Sequence, residues 1–458
     1  MRRSLAAIFI LFFAHNAFAA PLDAQIDKII KGSRLSSADV SVYAISEPGG
    51  KILAEINPNK LLNPASCMKL LTTAVALKTF GPDYQFPTNF YLNSAPATDL
   101  WVKGFGDPAF VIERLEEAVQ RLIAAGLPVA IRDIYIDDSY FESWDFPGRQ
   151  KGSSRSYNAM TSAVALNHGA ITVEVFPAEQ PGKKAIVEVD APGLIVKNQA
   201  TTSARRSRSG IGITRKYAKE GDTIIVTGRI SVSAKPVKKY LSVTVPTQHF
   251  GTTLKALLEA RGVNVAGEVK FGTVPANASL LYVAKSSALS EVLKNMNKNS
   301  SNFMAEQIVK SIGAKVRGAP GTTEKGVQVF EKYLRTLGIN DFYVENGSGL
   351  SYKNHIATRS LVAVMVDMFK DARLKTAFIE SLSIAGVDGT TKKWNSPVLF
   401  NKLYAKTGSL NGVSTLAGFM PKKGETIIFS IILNGGRVSF TTGRNVSQRI
   451  VEALAEGQ

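Results

Sequence analysis

Cysteine is almost absent from this chain. Cys67 is the only one in 458 residues, so no intramolecular disulfide can form, even in an oxidising compartment. Histidine is nearly as scarce. His168, His249 and His355, the three beyond residue 19, lie far apart and fall in no H-E-x-x-H or similar ligand spacing, which argues against a zinc peptidase. Long apolar runs are missing too. Leu5 to Phe13 is too short for a bilayer, which needs about 20 residues, and no later segment is longer and comparably apolar. Acidic side chains are in deficit, 37 Asp and Glu against 55 Lys and Arg, for a formal charge of +18.

What is present at the N-terminus reads as a secretory leader. Arg2 and Arg3 precede the apolar run, and Ala17-Phe18-Ala19 supplies small residues for cleavage after Ala19. Its loss removes Arg2 and Arg3, taking +18 to +16. An exported chain rarely meets nucleic acid, so the excess charge reads either as a solubilising surface or as affinity for an anionic polymer or membrane surface. The length left suits two or three domains, and the expected location is the periplasm.

Three textures follow one another along the chain. Leu22 to Ile30 reads as a helix with Ile26, Ile29 and Ile30 on one face. Val40 to Ile45 and Ile52 to Ile56 form a hairpin around Pro48-Gly49-Gly50. Asn63-Pro64 then starts a helix that stops before Gly81-Pro82. From 84 to 274 short β-like runs dominate, including Ile134–Ile136, Ile171–Val175, Ile224–Val226 and Leu241–Val245. One helix, Ala109 to Ala125, interrupts them. A basic segment, Ser203 to Lys219, carries Arg205, Arg206, Arg208, Arg215 and Lys216 and reads first as a solvated loop. From Ser286 helices return, and the chain closes with strands at 403–407, 415–419 and 426–433 and a helix at 446–454. The α/β ends, 20–83 and 275–458, read as one domain. The 84–274 stretch reads as an insertion of two nested subdomains, and the early hairpin is expected to join the late strands in one sheet.

Three motifs carry chemistry. Amide hydrolysis at neutral pH needs a nucleophile, a base and donors for a developing oxyanion. Ser66-Cys67-Met68-Lys69 places a hydroxyl and an amine three residues apart on a helix, within reach of each other. A partly desolvated lysine gives up its proton more readily and can serve as base. Ser300-Ser301-Asn302 sits in the break between two helical segments. Lys406-Thr407-Gly408 ends the strand-like run from Leu403; its cation and hydroxyl suit a substrate carboxylate, and its glycine allows close backbone approach. Each alone is weak, with an ordinary helix start, a polar turn and a strand end as the plain readings. In the order S-x-x-K, S-x-N, K-T-G they match the signature of penicillin-interacting serine enzymes. Cys67, one step round the helix from Ser66, reads as a small buried packing residue.

With these motifs the sequence resembles the low-molecular-mass class C penicillin-binding proteins of the D-alanyl-D-alanine carboxypeptidase/endopeptidase type, the DacB or penicillin-binding protein 4 family of S13 peptidases. The gaps of 234 residues from Ser66 to Ser300 and 106 from Ser300 to Lys406 suit this branch, which fills the first gap with extra domains. Gly104–Pro108, Asp137–Phe141, Gly347–Ser351 and Ala385–Thr390 match as well, and the glycine-rich ones read as scaffold turns. The resemblance implies an α/β (α+β) transpeptidase domain like that of serine β-lactamases: an antiparallel sheet flanked by helices, with β-rich inserted domains. It implies Ser66 as acylated nucleophile, Lys69 as proton acceptor, Ser300 as proton relay and Asn302 as holder of the substrate amide. Lys406 and Thr407 would bind the terminal carboxylate, Gly408 and Ser409 would adjoin the substrate, and the N–H groups of Ser66 and Ser409 would form the oxyanion hole. Ser301 departs from the aspartate common in the family. Peptidoglycan stem peptides are the implied substrates and β-lactam antibiotics the covalent inhibitors, with no cofactor or metal. Loose association with membrane or wall polymer and a homodimer are compatible partners. Two other readings stand beside this one: a β-lactamase or esterase using the same residues, although no G-x-S-x-G elbow is present, and a non-catalytic wall-binding protein.

Overall fold

The computed structural model describes residues 20–457 apart from 34, 36–38, 94–97, 206, 208 and 219–220. The leader, together with Arg206, Arg208 and Lys219 of the basic segment, lies outside the described residues. By compactness the chain divides into two units. The first comprises 1–70, 337–343 and 352–458; the second comprises 71–336 and 344–351. Texture alone places the boundaries elsewhere, at 83 and 275, because helices 289–298, 302–317 and 323–336 look like those of the C-terminal part but pack with the second unit.

The first unit is built on a six-stranded antiparallel sheet. Its order is Ser383–Ile384, Tyr404–Leu410, Val413–Lys422, Glu425–Asn434, Val40–Glu47 and Lys51–Ile56. The N-terminal hairpin thus joins the C-terminal strands, with Val40 opposite Leu433 and Glu47 opposite Thr426. Central strands buried on both faces read as continuous apolar runs, as Thr426 to Leu433 does. Helices Ala20–Gly32 and Phe440–Glu456 cover one face, where Ile26, Ile30, Ile450 and Leu454 meet Val42, Leu53 and Phe429. On the other face helix Thr358–Lys370 lies over Glu425–Asn434 and Val40–Glu47; Phe369 stacks on Phe419, and Phe378 meets the same ring edge to face.

The second unit holds two further sheet-based cores. Strands 269–271, 134–137, 99–104, 87–93 and 279–285 form one sheet, packed by helices Ile112–Ala124 and Pro246–Ala260 around Phe90, Leu115, Phe250 and Leu254. The second core, around Val173, Ile213, Ile224 and Leu241, lies among the strands between 170 and 242. Helix Pro246–Ala260 corrects the expectation of a single helix in this region. Val237–Ser242 ends sooner than its apolar run, and Pro246 opens a helix whose Gly251, Thr252 and Thr253 depress its propensity; Phe250, Leu254 and Leu258 still repeat every four residues.

Helix Asn302–Arg317 is buried along most of its length and carries an unusual polar row. Gln307 pairs with both backbone groups of Ser162. Lys310 donates to Ser143 O at 2.6 Å, Asp145 O at 2.7 Å and Thr161 Oγ1 at 2.8 Å. These bonds fasten the 143–162 loop onto the helix and satisfy a cation that burial pushes down to about 8.

Lys310 fixes the sign of one pH dependence. Between pH 8 and the ordinary lysine range the unfolded chain keeps a proton that the folded chain has released, so stability attributable to Lys310 rises with pH there. Urea unfolding of Lys310→Met should give a slope against pH lower than wild type by about 1.4 kcal/mol per unit in that window, and lower stability at pH 7 by about 2–4 kcal/mol from stranded carbonyls. Equal slopes in the two proteins would remove Lys310 as the titrating group.

Candidate active site

Ser66 enters through an irregular turn before its helix. Asn63 Oδ1 accepts from the Ala65 N–H at 2.8 Å, Ala65 takes a left-handed φ of +43°, and Ala65–Cys67 forms one 3₁₀ turn. The α-helix proper runs Met68–Phe80, so Asn63 shapes the turn two residues on and does not cap the helix directly. Lys69 still stands one turn beyond Ser66, and its Nζ donates to Ser66 Oγ at 3.1 Å. Lys69 is fully buried while Ser66 is partly exposed, so the hydroxyl faces outward and the amine approaches it from within.

The third motif lies against this turn. Lys406-Thr407-Gly408 occupies the middle of strand Tyr404–Leu410, correcting the expectation of a strand end. The outer neighbour, Ser383–Ile384, pairs only with Ala405 and Tyr404. Lys406 is fully buried, and desolvation pushes its amine down to about 8 against the opposing influence of Cys67. Its Nζ donates to Thr407 O at 2.6 Å. Cys67 Sγ donates to Lys406 O at 3.2 Å, and burial raises the thiol, so Cys67 is a packing residue tied to the strand and poorly suited as a nucleophile.

Gly408 is required by the protein's own backbone. A Cβ there would sit 2.2 Å from Thr415 Oγ1, 2.8 Å from Ser66 N and 2.9 Å from Pro64 O. The Ser66 amide therefore faces the strand at Gly408, one residue before the exposed Ser409. Ala385–Thr390 contributes more than a scaffold turn, because Thr407 Oγ1 donates to Thr390 Oγ1 at 2.7 Å. The sequence marked Thr390 only as the end of that matching stretch; its place beside Thr407 appears once the strand is placed.

The second motif belongs to the second unit. Ser300 bridges helices Leu289–Lys298 and Asn302–Arg317 with a left-handed φ of +54°. Asn302 opens the latter helix, and its Nδ2 donates to Tyr157 O at 3.0 Å. Ser301 is the helix N-cap, its Oγ accepting from the Met304 N–H at 3.3 Å. Serine and aspartate serve that position equally well, which accounts for the departure from the family's usual residue. The first unit thus gathers Ser66, Lys69, Lys406, Thr407 and Gly408, with Ser409 next in the strand, and the second carries Ser300 and Asn302.

A helical sheet domain of this topology, with a lysine donating to a serine one turn away, defines the penicillin-binding transpeptidase fold. The chain belongs to the D-Ala-D-Ala carboxypeptidase 3 (S13) family, whose profile matches residues 22–457, and is therefore a serine peptidase of that kind. It is 32% identical over 452 residues to a D-alanyl-D-alanine carboxypeptidase of Actinomadura sp. (strain R39), spanning 92% of this chain and 82% of that protein. The crystal structure of penicillin-binding protein 4 (dacB) from Haemophilus influenzae superposes with a TM-score of 0.78 at 24% identity, over 93% of this chain and 99% of that one. A predatory peptidoglycan endopeptidase from Bdellovibrio bacteriovorus shares the fold at a TM-score of 0.52 and 16% identity, over 90% and 92%. Among the described residues no helix is long and apolar enough to cross a membrane.

Gly408→Ala should force Thr415 and the Ser66 amide apart by an ångström or so. The expected result is a fall of about 100-fold in the rate of acylation by benzylpenicillin, with a lower Tm, read by stopped-flow and calorimetry. An unchanged rate would mean that the spacing of strand and turn is immaterial.

Proposed function

We propose that the protein acts on peptidoglycan stem peptides through an acyl-enzyme on Ser66. The observation that carries this reading is the 3.1 Å bond from buried Lys69 to the partly exposed Ser66 hydroxyl. Lys69 takes the Ser66 proton as Oγ attacks the carbonyl of the penultimate D-alanine. The amide N–H groups of Ser66 and Ser409 receive the oxyanion. The leaving amine takes a proton through Ser300, Asn302 holds the substrate amide, and water then releases the acyl group. Lys406 and Thr407 bind the terminal carboxylate, with Gly408 keeping the strand close to the Ser66 turn. The leaving group is a terminal D-alanine in carboxypeptidase action or a cross-linked side chain in endopeptidase action, and penicillins acylate the same serine. For the domains, this reading takes 20–83 with 275–458 as the catalytic part and 84–274 as an insertion of two subdomains.

The basic leader and the Ala17-Phe18-Ala19 site support export to the periplasm with cleavage after Ala19. Loose contact with an anionic wall polymer or membrane surface is supported by the charge distribution. Residues 183–240 hold 13 Lys and Arg against 4 Asp and Glu, which is +9 of the chain's +18, and Lys184, Lys197, Arg205, Lys216 and Arg229 are exposed.

Incubation with benzylpenicillin, followed by intact mass, tests the central claim. A stable adduct is expected on the wild type and not on Ser66→Ala. No adduct with the penicillin intact would favour a wall-binding protein, and no adduct with the penicillin consumed would favour a β-lactamase.

Lys406 gives a second test. Its charge is present below about pH 8 and lost above, so the acylation rate should fall toward tenfold per unit at alkaline pH with an apparent pKa near 8. Lys406→Arg should carry that limb beyond the measurable range. A wild-type profile flat to pH 10 would exclude the ammonium as the carboxylate's partner.

A further inference from the structure

Ala65, the residue before the nucleophile, is fully buried and held at φ +43°, a region that disfavours residues with a Cβ by roughly tenfold. Something must hold it there, and the hydrogen bonds show what does. The Ala65 N–H is taken by Asn63 Oδ1 at 2.8 Å. Asn63 is itself gripped at both backbone groups by one distant side chain. Its N–H donates to Asn434 Oδ1 at 2.8 Å, and its C=O accepts from Asn434 Nδ2 at 3.2 Å. Asn434 ends strand Glu425–Asn434, where it stands opposite Val413, so the carboxamide issues from a strand paired along its length. The turn is also tied at Pro64, whose O accepts from Thr415 Oγ1 at 2.8 Å and from the Cys67 N–H at 3.0 Å.

We propose that Asn434 is a positioning residue for catalysis: its carboxamide fixes Asn63, Asn63 holds Ala65 in the left-handed conformation, and that conformation sets the Ser66 hydroxyl against Lys69. The proposal rests on Ser66 being the acylated residue. Asn434 lies 368 positions from Ser66 and outside the three motifs. Released from the carboxamide, the turn relaxes toward negative φ at Ala65 and carries Ser66 off the axis of the Lys69 amine. Noncovalent recognition of the β-lactam is left intact, because the groups assigned to its carboxylate lie on another strand.

The test is the rate of benzylpenicillin acylation, resolved into noncovalent affinity and the acylation step, in Asn434→Ala, Ala65→Gly and the double variant, with Tm for each. Asn434→Ala should slow the acylation step about 10- to 100-fold with affinity changed less than threefold. Glycine takes positive φ at no steric cost, so Ala65→Gly in the Asn434→Ala background should restore the step to within about threefold of Ala65→Gly alone. A merely structural role predicts the reverse: glycine loosens the turn further, Tm falls again, and no rate returns. If Asn434→Ala does not fold, Asn63→Leu removes the acceptor for the Ala65 N–H and should show the same rescue by glycine. An Asn434→Ala protein that acylates at the wild-type rate, or a defect that glycine leaves unchanged, overturns the proposal. A wild type that gives no adduct at Ser66 refutes the underlying reading instead.

Discussion

Two backbones meet at Gly408 with no room for a side chain between them, and much of the first unit is arranged around that approach. The Ser66 turn lies on strand Tyr404–Leu410, so the serine, its lysine and the Lys406 cation share one rigid surface. Bonds on either side hold the contact closed. Thr415 reaches Pro64, Cys67 reaches Lys406 O, and Asn434 grips Asn63. Each partner comes from a strand in the body of the sheet, which resists displacement better than a loop does. The sheet thus acts as the template on which a short, strained turn is set.

Burial of cations is the second constraint. Lys69, Lys310 and Lys406 are all almost fully buried, a costly arrangement for ammonium groups. Burial pushes Lys310 and Lys406 down to about 8. Their surroundings differ in a telling way. Lys310 gives its protons to two carbonyls and a hydroxyl, and so clamps a loop. Lys406 bonds Thr407 O on its own strand, while Lys69 donates to the Ser66 hydroxyl. Burial at the first serves architecture; at the other two it accompanies the proton transfer and carboxylate binding proposed for them.

The fold and the motifs were legible to different degrees. Alternating and continuous apolar runs gave away the hairpin at 40–56 and the late strands, because a two-residue period and a buried run survive in any context. Helix Pro246–Ala260 was not legible. Its propensity is poor, and its apolar face matters only once a sheet exists to receive it. The grouping of helices 289–336 with the second unit was hidden for the same reason, since packing partners leave no local mark. Lys406 looked like the end of a strand because Gly408 is a weak strand former, yet pairing with Val413–Lys422 carries the strand on to Leu410.

For the chemistry, the order and spacing of S-x-x-K, S-x-N and K-T-G pointed to the reaction class on their own, because a spacing of three puts a serine and a lysine one turn apart. The neighbours that tune those groups were decided by tertiary structure alone. Thr390 beside Thr407, Thr415 beside Gly408 and Asn434 beside Asn63 are ordinary polar residues until strands are laid side by side. A short-range pattern records what adjacent residues do to each other; contacts across hundreds of positions exist only after the backbone has closed on itself.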